Sequence, residues 1–228
     1  MIAPQRTIKS WISRIGDITA KQKKILEESH LREYYSAPAL NDFTQKIKEI
    51  CPSYEGAMFD IGFGNGLTLI ALAERFPSKI IIGFEPHLTG VAHALEIIRE
   101  KNIKNIIIFQ GDVLDFMEEK QDFFVERINV YFSDPWPKKR HHKRRLIQNK
   151  FLNLAASKMI SNTILHIATD WQHYAEHIQE CIDSQNHFLK IDSHEVSEST
   201  AFVRPLTKYE ARGLKLGHQI YEFYLKRN

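Results

Sequence analysis

A carboxylate, an aromatic ring and a block of cations stand next to one another between residues 131 and 145. The run reads Tyr-Phe-Ser-Asp-Pro-Trp-Pro-Lys-Lys-Arg-His-His-Lys-Arg-Arg. Its first residues are typical of a strand end, and Asp134 follows them in a rigid Pro-Trp-Pro frame. The cations are Lys138, Lys139, Arg140, Lys143, Arg144 and Arg145, with His141 and His142 between them. Such a run suits an enzyme that binds nucleic-acid phosphates and holds a base beside its own cofactor.

The cation block also has a simpler interpretation, because most charge runs are solvated loops or the beginnings of charged helices. Two features favour contact with phosphates instead. Residues 143–160 are predicted to form a helix, and cations at a helix N-terminus have the wrong sign for the helix dipole. The block also follows Asp134 immediately, at the mouth of the expected ligand pocket.

The rest of the chain is not basic. Its 228 residues include 31 lysines and arginines and 28 aspartates and glutamates, which gives a net charge of +3. Without the six cations of residues 138–145, 25 basic side chains would face 28 acidic ones, a net charge of −3. The positive charge is therefore concentrated, as a phosphate-binding surface requires. Hydrophobic residues make up 43% of the chain, which is globular composition rather than that of a disordered protein.

Cysteines and apolar runs indicate the compartment. Cys51 and Cys181 lie in unrelated segments, which argues against a disulfide framework, and two thiols without suitably spaced histidines make a poor zinc site. No apolar run approaches the roughly 18–20 residues of a membrane span, and the N-terminus lacks a signal-peptide pattern. We expect a cytoplasmic protein without a metal or a membrane partner. The sequence leaves open whether it is a monomer or a homodimer.

Short β-branched or aromatic runs alternate with longer helical segments along most of the chain. The predicted strands cover residues 57–61, 79–84, 106–109, 128–133, 164–169, 188–191 and 219–226. The predicted helices cover residues 19–35, 39–50, 67–75, 90–100, 113–119, 143–160 and 171–184. This alternation predicts a single α/β domain over residues 1–228. The expected fold is a doubly wound, mostly parallel Rossmann-like sheet with an antiparallel edge strand and helices on both faces. Residues 1–18 are expected to form an adjustable arm, and residues 19–52 helices that pack on the core.

Acidic residues follow three successive predicted strands, where the ligands of open parallel sheets bind. The first strand is followed by Asp-Ile-Gly-Phe-Gly-Asn-Gly from Asp60 to Gly66, whose glycines permit a tight turn and a close approach of a ligand. Glu85 can accept both hydrogen bonds of a ribose diol, and Asp112 can meet an adenine edge. No phosphate loop of the type G-x-x-x-x-G-K-[ST] exists, so the set predicts S-adenosylmethionine rather than a pyrophosphate cofactor. The alternative is a structural turn, with Asp60 and Asp112 as helix caps.

Two further segments bring polar groups to the expected pocket. Asp170 follows the fifth strand, either as a second carboxylate in the cleft or as the N-cap of the next helix. The run Arg-Pro-Leu-Thr-Lys-Tyr-Glu at residues 204–210 supplies hydroxyl, cationic and carboxylate groups. Its alternative is a capped amphipathic helix, with Thr207 and Glu210 as a capping box.

Together these segments resemble the bacterial tRNA (guanine-N7-)-methyltransferases. The resemblance covers about residues 55–225 and, weakly, residues 11–35. It is carried by the Asp-Pro-Trp motif with its basic tail, the glycine turn, Ala-Thr-Asp-Trp at 168–171 and the run at 204–210. It implies S-adenosylmethionine as the cofactor, tRNA as the partner and N7 of guanine 46 in the tRNA variable loop as the methyl acceptor.

The resemblance also implies roles for particular residues. The cofactor would be bound by Asp60, Glu85, Asp112 and Asp134, with Gly62 and Gly64 of the turn beside them. The substrate guanosine would be contacted by Lys138, Asp170, Thr207, Lys208, Tyr209 and Glu210. The tRNA would be bound by Arg140, His141, His142, Lys143, Arg144 and Arg145. Many members carry Glu where Asp60 stands, and many have a more arginine-rich N-terminus than this chain.

Asp134 is the expected catalytic residue, although not as a general base. Guanine N7 has an exposed lone pair and no proton, so methyl transfer requires alignment and stabilisation of the positive charge that develops on the purine. A carboxylate suits both tasks. Two other functions remain open: an S-adenosylmethionine-dependent enzyme that modifies a different RNA site or a protein, and a non-catalytic RNA-binding module.

Overall fold

A computed structural model describes residues 9–11, 18–29, 34–36, 47–48, 52, 54–119, 123–196 and 201–228. Within these ranges, eight strands form one sheet in the order β1-β4-β3-β2-β5-β6-β8-β7. The strands are β1 (Tyr34–Ser36), β2 (Gly56–Ile61), β3 (Lys79–Phe84), β4 (Ile106–Gln110), β5 (Val125–Tyr131), β6 (Met159–Thr169), β7 (Phe188–Ile191) and β8 (Tyr221–Arg227). Neighbouring strands are parallel except at β8, which is antiparallel to both β6 and β7. The predicted fold class is confirmed, with the antiparallel strand one position in from the edge.

Helices cover both faces of this sheet, as predicted. They are α1 (Ala20–Ser29), α2 (Leu67–Arg75), α3 (Leu88–Glu100), α4 (Val113–Glu119), α5 (Asn149–Lys158), α6 (Gln172–Asp183) and α7 (Lys208–Lys215). Alternate residues of β2 face opposite cores: Phe59 packs in one with Phe116 of α4, and Met58 packs in the other with Leu69 of α2. Each helix in these ranges is too short or too polar to span a membrane.

The strand register brings the carboxyl ends of the central strands to one edge. Ile61 of β2 pairs with Phe84 of β3 and Val130 of β5, and Tyr131 of β5 pairs with Ala168 of β6. The turns that follow these strands therefore leave the sheet side by side. The chain order reverses between β2 and β5, which makes this edge the topological switch point, where ligands of such sheets bind.

The predicted helix over residues 143–160 is wrong at both ends. Lys139–Arg144 form a short 3₁₀ helix, α5 begins at Asn149, and Met159 already belongs to β6. The cation block is thus a compact turn between Pro137 and α5. These cations do not oppose the dipole of an α-helix, because they do not form the first turn of one.

The N-terminal predictions are partly wrong. The helix expected over residues 19–35 ends at Ser29, and Tyr34–Ser36 instead form β1, which pairs with Ile108–Gln110 of β4. Aromatic residues favour strands, and without β1 the backbone N–H and C=O groups on the outer side of β4 would be unpaired. Of the helix expected over 39–50, the structure describes only Ile47 and Lys48, both helical, and the rest lies outside the described residues.

Gly90 in the first turn of α3 is required by close packing on the glycine turn. A Cβ at this position would lie 2.3 Å from the carbonyl oxygen of Gly64. Helix propensity alone would favour Gly90→Ala by about 1 kcal/mol. We nevertheless expect the free energy of unfolding to fall by about 1–3 kcal/mol, because the backbone of the turn must move.

Urea unfolding of Gly90→Ala and wild type measures this difference. Gly56→Ala is the matched control, since its Cβ would meet the end of the Glu126 side chain, which can move aside. A Gly90→Ala variant as stable as the wild type would show that the turn accommodates the methyl group.

Candidate active site

A cavity of about 410 Å³ lies at the carboxyl edge of the central strands. The turns after β2, β3, β4, β5 and β6 all contribute to its wall, together with α7 and residues near the N-terminus. The predicted residues that line it are Gly62, Gly64, Glu85, Asp112, Asp134, Asp170 and Tyr209. Its size is that of a site for a nucleoside-sized ligand. Asp134 therefore opens into the same cavity as the glycine turn, and Pro135 and Leu146, on either side of the cation block, line it as well.

The glycine turn is held by the carboxylate of Glu85. Gly62 and Gly64 have positive φ angles of 72° and 57°, which a residue with a side chain rarely adopts. The N–H of Gly64 donates to Glu85 Oε2 at 2.9 Å, and the N–H of His87 donates to Glu85 Oε1 at 2.9 Å. Burial raises the pKa of Glu85 and the nearby Asp134 charge adds to this, while the two N–H donors oppose the shift. Each carboxylate oxygen keeps a second lone pair that a ligand hydroxyl can use.

Asp60 lies deeper than predicted. It is 1% exposed and lines a neighbouring cavity of about 20 Å³, which shares Gly62, Gly64 and Tyr209 with the main one. Thr68 Oγ1 donates to Asp60 Oδ2 at 2.6 Å, and Gly66 occupies the N-cap position of α2, so Asp60 is not a helix cap. Burial raises its pKa to about 7, and the Glu85 charge contributes to the rise.

Asp112 both caps a helix and borders the cavity. Its Oδ1 accepts a hydrogen bond from the N–H of Leu114 at 3.0 Å, in the first turn of α4. The N–H of Ser10 also lies near this carboxylate and favours its charged form. Burial raises the pKa of Asp112 despite these donors. The helix-cap alternative is thus correct for this residue, and it does not exclude a ligand contact.

The loop that carries Asp134 is strained on both sides of it. Phe132 and Trp136 have φ angles of 54° and 46°, in the left-handed region that non-glycine residues avoid. The N–H of Phe132 donates to the carbonyl of Ala168 at 2.8 Å, and Trp136 Nε1 donates to the carbonyl of Ser10 at 3.0 Å. Asp134 itself is exposed at the cavity mouth. Backbone strain of this kind is common where a functional side chain must be held in one direction.

The cation block divides into exposed and buried members. Lys138, Lys139, Arg140 and Lys143 are exposed, whereas His141, His142 and Arg144 are half-buried. The Arg144 guanidinium lies over the Trp136 ring, 5.0 Å from its centroid, and the His141 ring meets Trp136 edge-on at 5.6 Å. The tryptophan of the Asp-Pro-Trp motif is therefore the surface on which this turn folds.

Arg145 was predicted to bind RNA together with its neighbours, but the structure buries it. It is 2% exposed, its Nε donates to the Pro135 carbonyl at 2.9 Å, and its guanidinium lies 5.1 Å from the Tyr174 ring centroid. The Tyr174 hydroxyl in turn accepts from the N–H of Ile147 at 3.1 Å. Arg145 thus closes the loop from within, and a phosphate cannot reach it.

Asp170 faces the cavity and does not cap α6. The N-cap of α6 is Trp171, without a side-chain hydrogen bond. Asp170 Oδ2 instead lies 3.1 Å from His218 Nδ1. The alternative that Asp170 is a helix cap is therefore wrong, and Asp170 is a second carboxylate in the cleft. Its neighbour His218 was not indicated by the sequence.

The segment at 204–210 divides between structure and site. Thr207 is the N-cap of α7, and its Oγ1 accepts from the N–H of Glu210 at 3.1 Å. The Glu210 carboxylate does not complete a capping box but pairs with Arg204, which also donates from Nε to Glu222 at 2.7 Å. Thr207 and Glu210 thus begin and anchor α7. Thr207 and Lys208 also border the smaller cavity, and Tyr209 borders both.

Several cavity residues were not predicted. The further wall includes Ser10, Trp11, His87, Trp171, Arg212, Leu216 and His218. Tyr209 and Arg212 on α7 and Leu216 at its C-cap recur at helical spacing, and this period was the available signal in the sequence. Trp11 and His87 carried none, because no local pattern shows that an N-terminal segment packs on a distant turn.

One cluster with the composition of a metal site occurs among the described residues. Ligand atoms of Asp192, His194 and Glu195 lie within 4.8 Å of one another, and all three residues are exposed. Asp192 and Glu195 form the capping box of the 3₁₀ helix Ser193–Glu195. The capping box accounts for the proximity of these two carboxylates.

The fold and this site define a Rossmann-like methyltransferase. Residues 55–223 match the model of a family described as "Putative methyltransferase". Two solved methyltransferase structures are similar in fold at low sequence identity. An rRNA methylase from Streptococcus thermophilus has a TM-score of 0.52 at 10% identity, with 84% of this chain and 99% of that chain covered. SMU.1697c from Streptococcus mutans, solved in complex with SAH, has a TM-score of 0.52 at 9% identity, with 84% and 100% covered.

Curated relatives identify more closely the family to which the chain belongs. The tRNA (guanine-N(7)-)-methyltransferase of Methylobacillus flagellatus is 36% identical over 228 residues, which cover 98% of this chain and 92% of the relative. The enzyme of the same name from Actinobacillus succinogenes is 33% identical, over 98% of this chain and 89% of the relative. The chain belongs to the tRNA (guanine-N(7)-)-methyltransferase family.

The raised pKa of Asp60 predicts a pH-dependent stability. The folded state keeps the Asp60 proton up to about pH 7, whereas the unfolded chain loses it near pH 4. Stability is therefore lost as the pH rises from about 4 to 7, and it changes little above that. The Asp60→Asn variant escapes this loss. Its stability relative to wild type should increase by about 2–4 kcal/mol between pH 4.5 and pH 8.

Urea unfolding at the two pH values measures this difference. Asp183→Asn, at an exposed position of α6, is the control, and its difference from wild type should stay constant. A constant difference for Asp60→Asn would mean that a neighbouring cation already compensates the buried charge.

Proposed function

We propose that the protein is a tRNA (guanine-N7-)-methyltransferase, which transfers a methyl group from S-adenosylmethionine to N7 of guanine 46 in the tRNA variable loop. The observation that carries this proposal is a row of three carboxylates, of which Glu85 and Asp134 line the main cavity and Asp60 lines the smaller cavity beside it. Glu85 raises the pKa of Asp60, and Asp134 raises the pKa of Glu85. Such a row favours a cationic ligand, and exposed cations stand at its end, where a polyanion can bind.

The residues present fit this cofactor. Asp60 offers a buried carboxylate that an ammonium group can pair with, and Glu85 offers acceptor lone pairs for a ribose diol. Asp112 and the glycine turn would hold the adenosine part. When bound, S-adenosylmethionine supplies an electrophilic methyl group on a sulfonium sulfur. The protein's contribution is to bind, orient and exclude water.

Asp134 is the residue to which we assign catalysis. Guanine N7 needs no proton removed, so the chain has to hold the base and offset the positive charge that the purine gains. Asp134 stands at the cavity mouth in a strained loop, with Asp170 on the neighbouring strand end. We propose that these two carboxylates accept hydrogen bonds from the guanine, that Tyr209 and Lys208 border it, and that Lys138 contacts a phosphate.

The tRNA would reach the site over the exposed cations. Lys138, Lys139, Arg140 and Lys143 begin four residues after Asp134, so phosphates bound there bring a nearby base to the cavity mouth. N7 lies in the deep major groove of paired RNA, and the guanine therefore has to be exposed in a loop. With tRNA as the substrate, the protein would act in the cytoplasm.

Asp134→Asn tests the catalytic assignment. With unmodified tRNA and labelled S-adenosylmethionine, turnover should fall at least about 100-fold, because the amide cannot offset the charge on the purine. The tRNA dissociation constant should stay within about threefold. Asp183→Asn serves as the surface control. Unchanged turnover would remove Asp134 from the mechanism. A labelled product other than 7-methylguanosine at position 46 would point to a different RNA site.

The salt dependence of tRNA binding tests the cation surface. Each phosphate contact releases about one counterion, so Lys139→Ala/Lys143→Ala should reduce the slope of log affinity against log salt by about 1–2. The matched control is Lys23→Ala/Lys24→Ala on α1, which removes the same charge from a different surface. Equal slopes for wild type and the first variant would exclude these lysines from the RNA interface.

A further inference from the structure

The segment Lys9–Trp11 connects two turns at the rim of the cavity. The carbonyl of Ser10 accepts from Trp136 Nε1 at 3.0 Å, and the N–H of Ser10 lies close enough to the Asp112 carboxylate to oppose the rise in its pKa. One residue thus joins the turn after β4 to the loop after β5. Because both partners border or flank the cavity, the segment is held across its edge rather than packed on a remote surface.

The Trp11 ring is fixed at the end of the cavity where Glu85 and Asp112 lie. It meets the His87 ring edge-on at 6.2 Å, and His87 directly follows the Glu85-Pro86 pair. The Lys9 ammonium lies 4.8 Å from the centroid of the indole ring. Trp11 lines the cavity together with Pro86, Gly111 and Val113, which are much smaller side chains. Trp11 is therefore a large flat apolar group at this end of the cavity.

We propose that Trp11 is a cofactor-binding residue that packs against the adenosine part of S-adenosylmethionine, and that the Ser10–Trp136 hydrogen bond holds it there. This rests on the proposed function. A purine gains binding energy from an aromatic neighbour, and the acceptors for its ribose and amino groups lie on the adjacent turns. Trp136 also supports the cation block, so one indole links the cofactor end of the cavity to the proposed tRNA surface.

Calorimetric titration with S-adenosylhomocysteine and with adenosine tests the role of Trp11. Trp11→Ala should weaken both ligands by about tenfold, since base–aromatic stacking has that magnitude, and Trp11→Phe should stay within about threefold of wild type. Leu189→Ala, at an exposed position of β7, is the control. Equal affinity of Trp11→Ala and wild type would overturn the proposal. So would a loss for S-adenosylhomocysteine without a loss for adenosine. A wild type that binds neither ligand would instead refute the proposed function, and this inference with it.

A double-mutant cycle tests the hydrogen bond. Trp136→Phe keeps an aromatic ring but removes the N–H donor. With Trp11 unchanged, it should weaken the affinity for S-adenosylhomocysteine about three- to fivefold. The same change should have no further effect in Trp11→Ala, because the ring it positions is gone. Additive losses would overturn the positioning role of Trp136. Thermal unfolding of each variant without ligand shows whether folding is retained.

Discussion

The two hydrogen bonds that Glu85 accepts from the backbone hold the cavity in shape. Gly64 and His87 belong to the turns after β2 and β3, and one carboxylate joins both. Two backbone hydrogen bonds assist it, because the N–H of Gly62 donates to the Phe84 carbonyl at 2.7 Å and the N–H of Gly66 donates to the Phe63 carbonyl at 3.0 Å. Gly90 lets α3 approach the same turn closely from behind. The relative position of the two turns therefore depends in part on the charge and the length of the side chain at residue 85.

Burying the carboxylates of Asp60 and Glu85 lowers the stability of the folded protein, and this cost gives information about their role. Burial raises the pKa of Asp60 and of Glu85, so their charged forms are costly in the folded protein. A chain selected for stability alone would replace such groups with apolar residues of similar size. Their presence next to a cavity, with Asp134 close enough to add to the repulsion, supports the proposal that the ligand is cationic.

The sequence predicted the parts of the site that follow from strand order. In a parallel sheet, the residues after each strand meet at one edge, so Glu85, Asp112, Asp134 and Asp170 could be assigned to one cavity from the alternation of apolar runs. The sequence could not show that Arg145 differs from its neighbours, because the six cations within these eight residues look alike until the fold buries one of them. Trp11 was missed for a related reason. Its ring contacts His87, which is more than 70 residues away, and no local period indicates such a contact.

The burial of Arg145 explains how a run of like charges can hold one conformation. Cations in a short turn repel one another, and in solvent they would favour many conformations. Arg145 instead donates to the Pro135 carbonyl and lies against Tyr174, while Arg144 covers the Trp136 ring. These two residues use their charge to close the loop. The four exposed cations are then displayed at a fixed distance from Asp134, because the same loop carries both. A phosphate bound to them has a defined position relative to the carboxylate. In the proposed function, affinity for tRNA and alignment of the guanine are therefore properties of a single structural unit.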